Sequence, residues 1–246
     1  MLLILVGSAL VGNRLHETRA TGGVGYLQAE IFLTDEALPV EERKRRFFDR
    51  LRPIIVAENA RVAEQRATIL AARDAGESGG AAAELAARYG IEDWNADDAD
   101  AADWPSLLAR VDTVPLTLAL AQAANESNWG RSRFAQEGQN LFGQWCFSEG
   151  CGLVPEARDA EDTHEVARFD SINASVRAYL RNLNTGGAYR LLRQTRQRAR
   201  AADMTPKDGA MADGLADYSA RGQAYIHEIK AIIRANRPLM LGSAAE

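Results

Sequence analysis

Residues 114–130 read VPLTLALAQAANESNWG. Leu116, Ala119, Leu120, Ala123 and Ala124 fall at i, i+3, i+4, i+7 and i+8, the spacing of a helix with one apolar stripe turned to a core. Asp112 or Thr113 can cap the start, with Pro115 in the first turn, where its missing N–H is not needed. Trp129-Gly130 is expected to end the helix, the glycine acting as a C-terminal cap. At about 100° per residue, Glu126 lies beside Ala119 at the margin of the stripe, and Gln122 sits one turn earlier on the same side. Partial desolvation there disfavours the charged carboxylate and raises its pKa, as a general acid near neutral pH requires. Spacing alone does not separate this role from that of a solvated charge near a helix end.

Upstream, Phe47, Leu51, Ile54, Ile55, Ala60, Val62 and Ile69 recur at helical spacing between Pro39 and Ala75, with Pro53 expected to start, kink or interrupt the run. Gly76 to Gly80 breaks the pattern, and a shorter helix, Ala81–Tyr89, stops at Gly90. Residues 91–104 carry Glu92, Asp93, Asp97, Asp98, Asp100 and Asp103 without a calcium-loop pattern and read as a solvated loop. Downstream, residues 140–170 look irregular or strand-like, with turns at Gly143, Gly150, Gly152 and Pro155. Ser171 can cap a helix whose Ile172, Val176, Tyr179, Leu180 and Leu183 face inward. After Gly186-Gly187 an arginine-rich helix spans Ala188–Ala202. Its Arg190, Arg193, Arg196, Arg198 and Arg200 are expected on a solvated face, with contact to an anionic wall polymer as a second reading. A last helix runs from about Tyr218 to Arg237, with Ile226, Ile229, Ile232 and Ile233 inward. The chain is mainly α with a small β excursion and no internal repeat.

The 246 residues suffice for one large domain, or one domain with a helical extension. A net charge of −5 argues against a nucleic-acid partner, which would call for a basic surface. No apolar run is long enough to span a membrane. Residues 1–20 open on the apolar MLLILVGSALVG and are expected to be a signal peptide or short membrane anchor, although no Lys or Arg precedes it; a buried strand or helix is the alternative. Residues 21–40 read as a linker. Cys146 and Cys151, in CFSEGC, suit a small disulfide-closed loop in an oxidising compartment and would be two thiols in cytosol. Two cysteines are too few for a zinc site, and His164 has no partner at ligand spacing, so no metal or other cofactor is expected.

Val114–Gly130, followed by Asn140-Leu141-Phe142-Gly143, resembles the glucosaminidases of glycoside hydrolase family 73. The likeness is greater to the Bax-type subgroup, through Cys146 and Cys151, Asn182-Leu183-Asn184-Thr185 with Ala188-Tyr189, and Tyr218-Ser219 with Gly222 and Tyr225. It extends over roughly residues 40–237. The resemblance implies a lysozyme-like helical domain with a small β-hairpin region at 111–240, preceded by a helical N-terminal region at 41–110. It implies cleavage of the β-1,4 bond between N-acetylglucosamine and N-acetylmuramic acid in peptidoglycan, with Glu126 as general acid.

By position, Tyr218 would line the reaction centre. Asn140 and Phe142 would floor the cleft, and Trp129 and Trp145 would stack on sugar faces. Gln122, Gln144 and Tyr225 complete the expected substrate contacts. Thr163-His164-Glu165 is the best positional match for a second carboxylate, with Glu149, Glu156, Glu161 and Asp162 in the same region. The subgroup does not reliably carry that glutamate, so assistance by the substrate's acetamido group stays open. The expectation is an exported endo-β-N-acetylglucosaminidase, monomeric, in the periplasm or cell envelope, which the N-terminus could tether to a membrane. Lytic transglycosylase cleavage and a non-catalytic peptidoglycan-binding protein are the alternatives.

Overall fold

The computed structural model describes residues 37–156, 158 and 161–242. The expected signal peptide or anchor at 1–20, and nearly all of the linker at 21–40, lie outside the described residues. The elements are α1 (Val40–Ala75), α2 (Gly80–Arg88), α3 (Trp104–Arg110), α4 (Leu116–Glu126), α5 (Arg133–Gly138), β1 (Trp145–Cys146), β2 (Gly152–Leu153), β3 (Glu165–Ala167), α6 (Ile172–Thr185), α7 (Arg190–Ala201), α8 (Asp208–Ala212) and α9 (Gln223–Leu241). Short 3-10 turns at Gly187–Tyr189 and Asp213–Leu215 join the later helices. Among the described residues no helix is long and apolar enough to cross a membrane.

Helix α1 is continuous and carries Pro53 inside it. A mid-helix proline costs about 3 kcal/mol, yet Leu51, Ile54 and Ile55 on either side are fully buried, and their packing outweighs it. The helix stops where Gly76 turns left-handed at φ 70°, so that its N–H and that of Glu77 reach the carbonyls of Arg73 and Ala72. Ala60, expected on the inner stripe, is exposed. The buried position nearby is Glu58, which takes both Nε and Nη2 of Arg177 at 2.9 Å and so ties α1 to α6. Helix α1 packs against α4, α6 and α9, and one hydrophobic core runs through all four.

Helix α4 differs from its expected bounds at both ends. Pro115 occupies the N-cap with no side-chain cap, because Asp112 is buried and turned to α7. The C-terminus comes at Glu126, before Trp129-Gly130. Ser127 Oγ donates to the Ala123 carbonyl at 2.6 Å and accepts from Gly130 N at 2.7 Å, while Asn128, Trp129 and Gly130 all take positive φ. Helix α6 begins as expected, with Ser171 Oγ accepting from Ala174 N. Helix α9 starts at Gln223, after Gly222 at φ 49°, which leaves Tyr218 in the preceding turn instead of on the helix.

The arginines of α7 correct the expectation of a wholly solvated face. Arg193 is buried, and Arg196 is fully so, donating to the carbonyls of Ala109, Asp112 and Thr113 and to Asn184 Oδ1. Carbonyls left over between α3 and α4 need donors, and a guanidinium with five N–H groups supplies several at once.

The small sheet is antiparallel in the order β1-β3-β2. Trp145 stands opposite Val166 and Cys146 opposite Glu165, while Gly152 pairs with Ala167 and Leu153 with Val166. Gly152 is required there, because a Cβ would fall 2.0 Å from the Val166 carbonyl oxygen.

Candidate active site

The end of α4, the turn at 140–143, α6, the turn before α9 and α9 itself converge on Glu126. The early stop of α4 leaves this carboxyl half-buried at the rim of the core. Burial pushes its pKa up. Hydrogen bonds from the Tyr225 hydroxyl and Asn125 Nδ2 oppose that, the negative Glu228 raises it further, and Arg221 lowers it. Across from it, exposed Gly143 turns at φ 64°, and a Cβ there would lie 3.6 Å from Glu126 Oε2. The glycine therefore leaves the carboxyl open on that side.

Asn140 builds the turn. Its Nδ2 donates to the carbonyls of Gln144 and Ala167, and its Oδ1 accepts from Phe142 N and Gln144 N, which uses its full bonding capacity. Gln144 Nε2 reaches the Ser175 carbonyl and anchors the turn to α6. Phe142 stacks on Tyr179 at 3.9 Å between centroids, and its carbonyl accepts from the Tyr218 hydroxyl at 2.8 Å. Tyr218 is half-buried and parallel to Tyr225 at 5.5 Å. Beneath them Gln122, 0% exposed, donates from Nε2 to the Tyr225 oxygen at 2.9 Å and accepts at Oε1 from Tyr179 at 2.7 Å.

Several expected substrate contacts are thus buried. Gln122, Asn140, Phe142 and Tyr225 are each at most 1% exposed and hold other groups in place. Trp129 makes edge contacts with Phe47 and Phe48, with Lys44 above its ring, so it docks α1 onto the site. Trp145 differs. It is 58% exposed, and His164 stacks on one face at 4.0 Å.

The cysteines form the expected disulfide, Cys146–Cys151. Glu165 lies beneath that loop with both oxygens occupied, accepting from Gly150 N at 3.0 Å and Gly152 N at 2.7 Å. Those amides hold its pKa below the usual value, which makes it a weaker base. The two sulfurs and the Glu165 carboxylate lie close enough for one ion, but each sulfur is bonded to the other and is not a free thiolate.

A family model described as glucosaminidase, mannosyl-glycoprotein endo-beta-N-acetylglucosaminidase, matches residues 102–238. A relative, Protein bax of Escherichia coli (strain K12), is 31% identical over 202 residues, covering 80% of this chain and 71% of the relative. The chain belongs to the glucosaminidase family. No solved structure matches it significantly.

The chain shows the mainly α, lysozyme-like architecture expected of the family, with a small sheet beside the helices. Of the residues singled out in its sequence, Glu126, Gln122, Tyr225, Tyr218, Phe142, Asn140 and Gln144 form one connected cluster. Trp145 stands on β1, Trp129 against α1, and Glu165 on β3 beneath the disulfide loop. Tyr179 and Glu228 were missed. Tyr179 sits on an inward stripe and reads as plain core. Glu228, ion-paired to Arg221 at 2.7 Å, comes one helical turn after Tyr225, a spacing that could have flagged it.

Proposed function

We propose that this glucosaminidase is an endo-β-N-acetylglucosaminidase of peptidoglycan, with Glu126 as its general acid. The carrying observation is the half-buried Glu126 carboxyl, its pKa raised by burial, facing the open side of the Gly143 turn. Protonated, it gives its proton to the glycosidic oxygen as the bond to C1 breaks, and the leaving sugar departs as an alcohol.

For the second half of the reaction, both Glu165 oxygens already accept from loop amides, and those bonds weaken the carboxylate as a base. This favours the substrate's own acetamido oxygen, which would bond to C1 and form an oxazolinium ion. Water then adds at C1 and reopens the ring, and the Glu126 carboxylate takes the water's proton, returning to its starting form. Glu165 in this reading clamps the disulfide loop that carries Trp145. The disulfide fits an exported protein acting in the cell envelope.

Digesting purified sacculi tests the reading. After reduction, mass spectrometry should find new N-acetylglucosaminitol ends. Anhydro-muramic ends would instead indicate a lytic transglycosylase, and sacculi that are bound but uncut would indicate a binding protein.

The exposed Trp145 ring suits the apolar face of a sugar. Trp145→Ala should raise KM about fivefold to tenfold, which is what losing roughly 1 kcal/mol of ring contact gives. The turnover number and Tm should stay near wild type, because the indole is mostly exposed. A fall in turnover with unchanged KM would remove Trp145 from substrate binding.

A further inference from the structure

Three buried side chains connect in a line to Glu126. The Tyr179 hydroxyl donates to Gln122 Oε1, Gln122 Nε2 donates to the Tyr225 oxygen, and the Tyr225 hydroxyl stands beside the Glu126 carboxyl, one helical turn on from Gln122. The direction of this line is not arbitrary. Among the described residues Tyr179 Oη has Gln122 as its one hydrogen-bond partner, so its proton must go to the amide oxygen. That orients Gln122 with its N–H toward Tyr225. A Tyr225 oxygen already accepting one N–H turns its own proton outward, to the carboxylate.

Flipping the Gln122 amide would strand the Tyr179 proton in the core. It would also draw the Tyr225 proton inward and set its lone pairs against the Glu126 carboxylate. Both changes are costly, because buried polar groups without partners lose their full desolvation energy.

We propose that Tyr179 and Gln122 are positioning residues that set the direction of hydrogen bonding, so that Tyr225 donates to Glu126. This deepens the reading of Glu126 as the acid and rests on it for its catalytic meaning. A donor to the carboxylate favours the charged form. The chain therefore counteracts burial and keeps the acid able to release its proton in the first step and to take one back in the second.

The other groups facing Glu126 are Glu228 and Arg221, with Tyr218 and Tyr189 further round the site. On α1, Lys44 lies over Trp129, and on α8, Asp208 bonds Thr117 at the far end of α4. None of these lies in the chain of donors, so substitutions at 179 and 122 leave them in place.

The test follows the Glu126 carboxyl directly, by NMR titration of carboxyl-labelled protein, and does not depend on glycan cleavage. Tyr225→Phe removes the donor and should raise the Glu126 pKa by about one unit, the shift expected for one hydrogen bond to a charged group. Tyr179→Phe, whose lost hydroxyl bonds Gln122 and neither Tyr225 nor Glu126, should shift it the same way by a smaller amount. The alkaline limb of turnover should move up in step. Gln122→Met gives a second route to the same break if Tyr179→Phe does not fold.

An unchanged Glu126 titration in a folded Tyr179→Phe or Gln122→Met protein would overturn the proposal, even with activity lowered at every pH. An unchanged titration in Tyr225→Phe would overturn it at its last step. A shift seen by NMR without cleavage of sacculi by the wild type would keep the positioning and discard the proposed activity.

Discussion

Glu126→Gln should lower glycan cleavage by about 10²–10⁴-fold, the contribution of a positioned proton donor, while leaving the protein at least as stable at neutral pH. An amide of the same shape keeps the Asn125 and Tyr225 neighbours but has no proton to give. The stability half follows from the sign of the pKa change. Burial raises the Glu126 pKa, so the native state prefers the neutral carboxyl. A group of that kind favours the fold fully below its unfolded pKa and loses this as pH rises through the native value. Above its native pKa the wild type therefore bears the cost of a half-buried charge that the variant lacks. Thermal unfolding at pH 7.5 should give the variant an equal or higher Tm, with the gap closing near pH 4. A variant that is less stable at neutral pH would mean that the carboxylate is a structural anchor, and its inactivity would then say little about acid catalysis.

Asp112→Ala should be the most damaging single change away from the site. Asp112 is 2% exposed and accepts two hydrogen bonds from Arg200, at 2.8 and 3.1 Å, with Arg196 and Arg66 within 3.8 Å. Burial alone would raise its pKa, but Arg200, Arg196 and Arg66 together hold it below the usual value. The same burial pushes Arg196 down to about 10. Without Asp112 a fully buried guanidinium is left with carbonyls and an amide but no counter-charge. Such a loss costs about 3–5 kcal/mol, or roughly 10 °C in Tm for a chain of this size.

Arg200→Ala removes a partner that is itself 42% exposed and should cost far less. A lowered carboxylate pKa stabilises the fold above its unfolded value and is lost as pH falls through the native one. The deficit of Asp112→Ala against wild type should therefore narrow below about pH 4. Equal losses for Asp112→Ala and Arg200→Ala would show that the exposed pair, and not the buried arginine, carries the effect.

Much of the helical frame was legible because helix faces are a local property. The stripes of α1, α4, α6 and α9 follow from apolar residues three and four apart, and the Ser171 cap from one side chain reaching three residues on. The disulfide too was legible, since its cysteines are only five positions apart. Glu126 could be placed at the rim of a core for the same reason. The ends of α4 were not legible, because they depend on where Asp112 and Ser127 find their partners.

The sequence alone therefore determined which residues make helices, which faces are apolar, and which carboxyl stands at the margin of one. Only the tertiary structure decided what the polar residues do. Gln122 and Tyr225 are 103 positions apart, Asp112 and Arg196 84 positions apart, and no periodicity relates them. A buried polar group must find its partner wherever the fold brings one. For that reason Gln122 pairs with Tyr225 beside Glu126, Arg196 fills the core, and both Glu165 oxygens accept from loop amides.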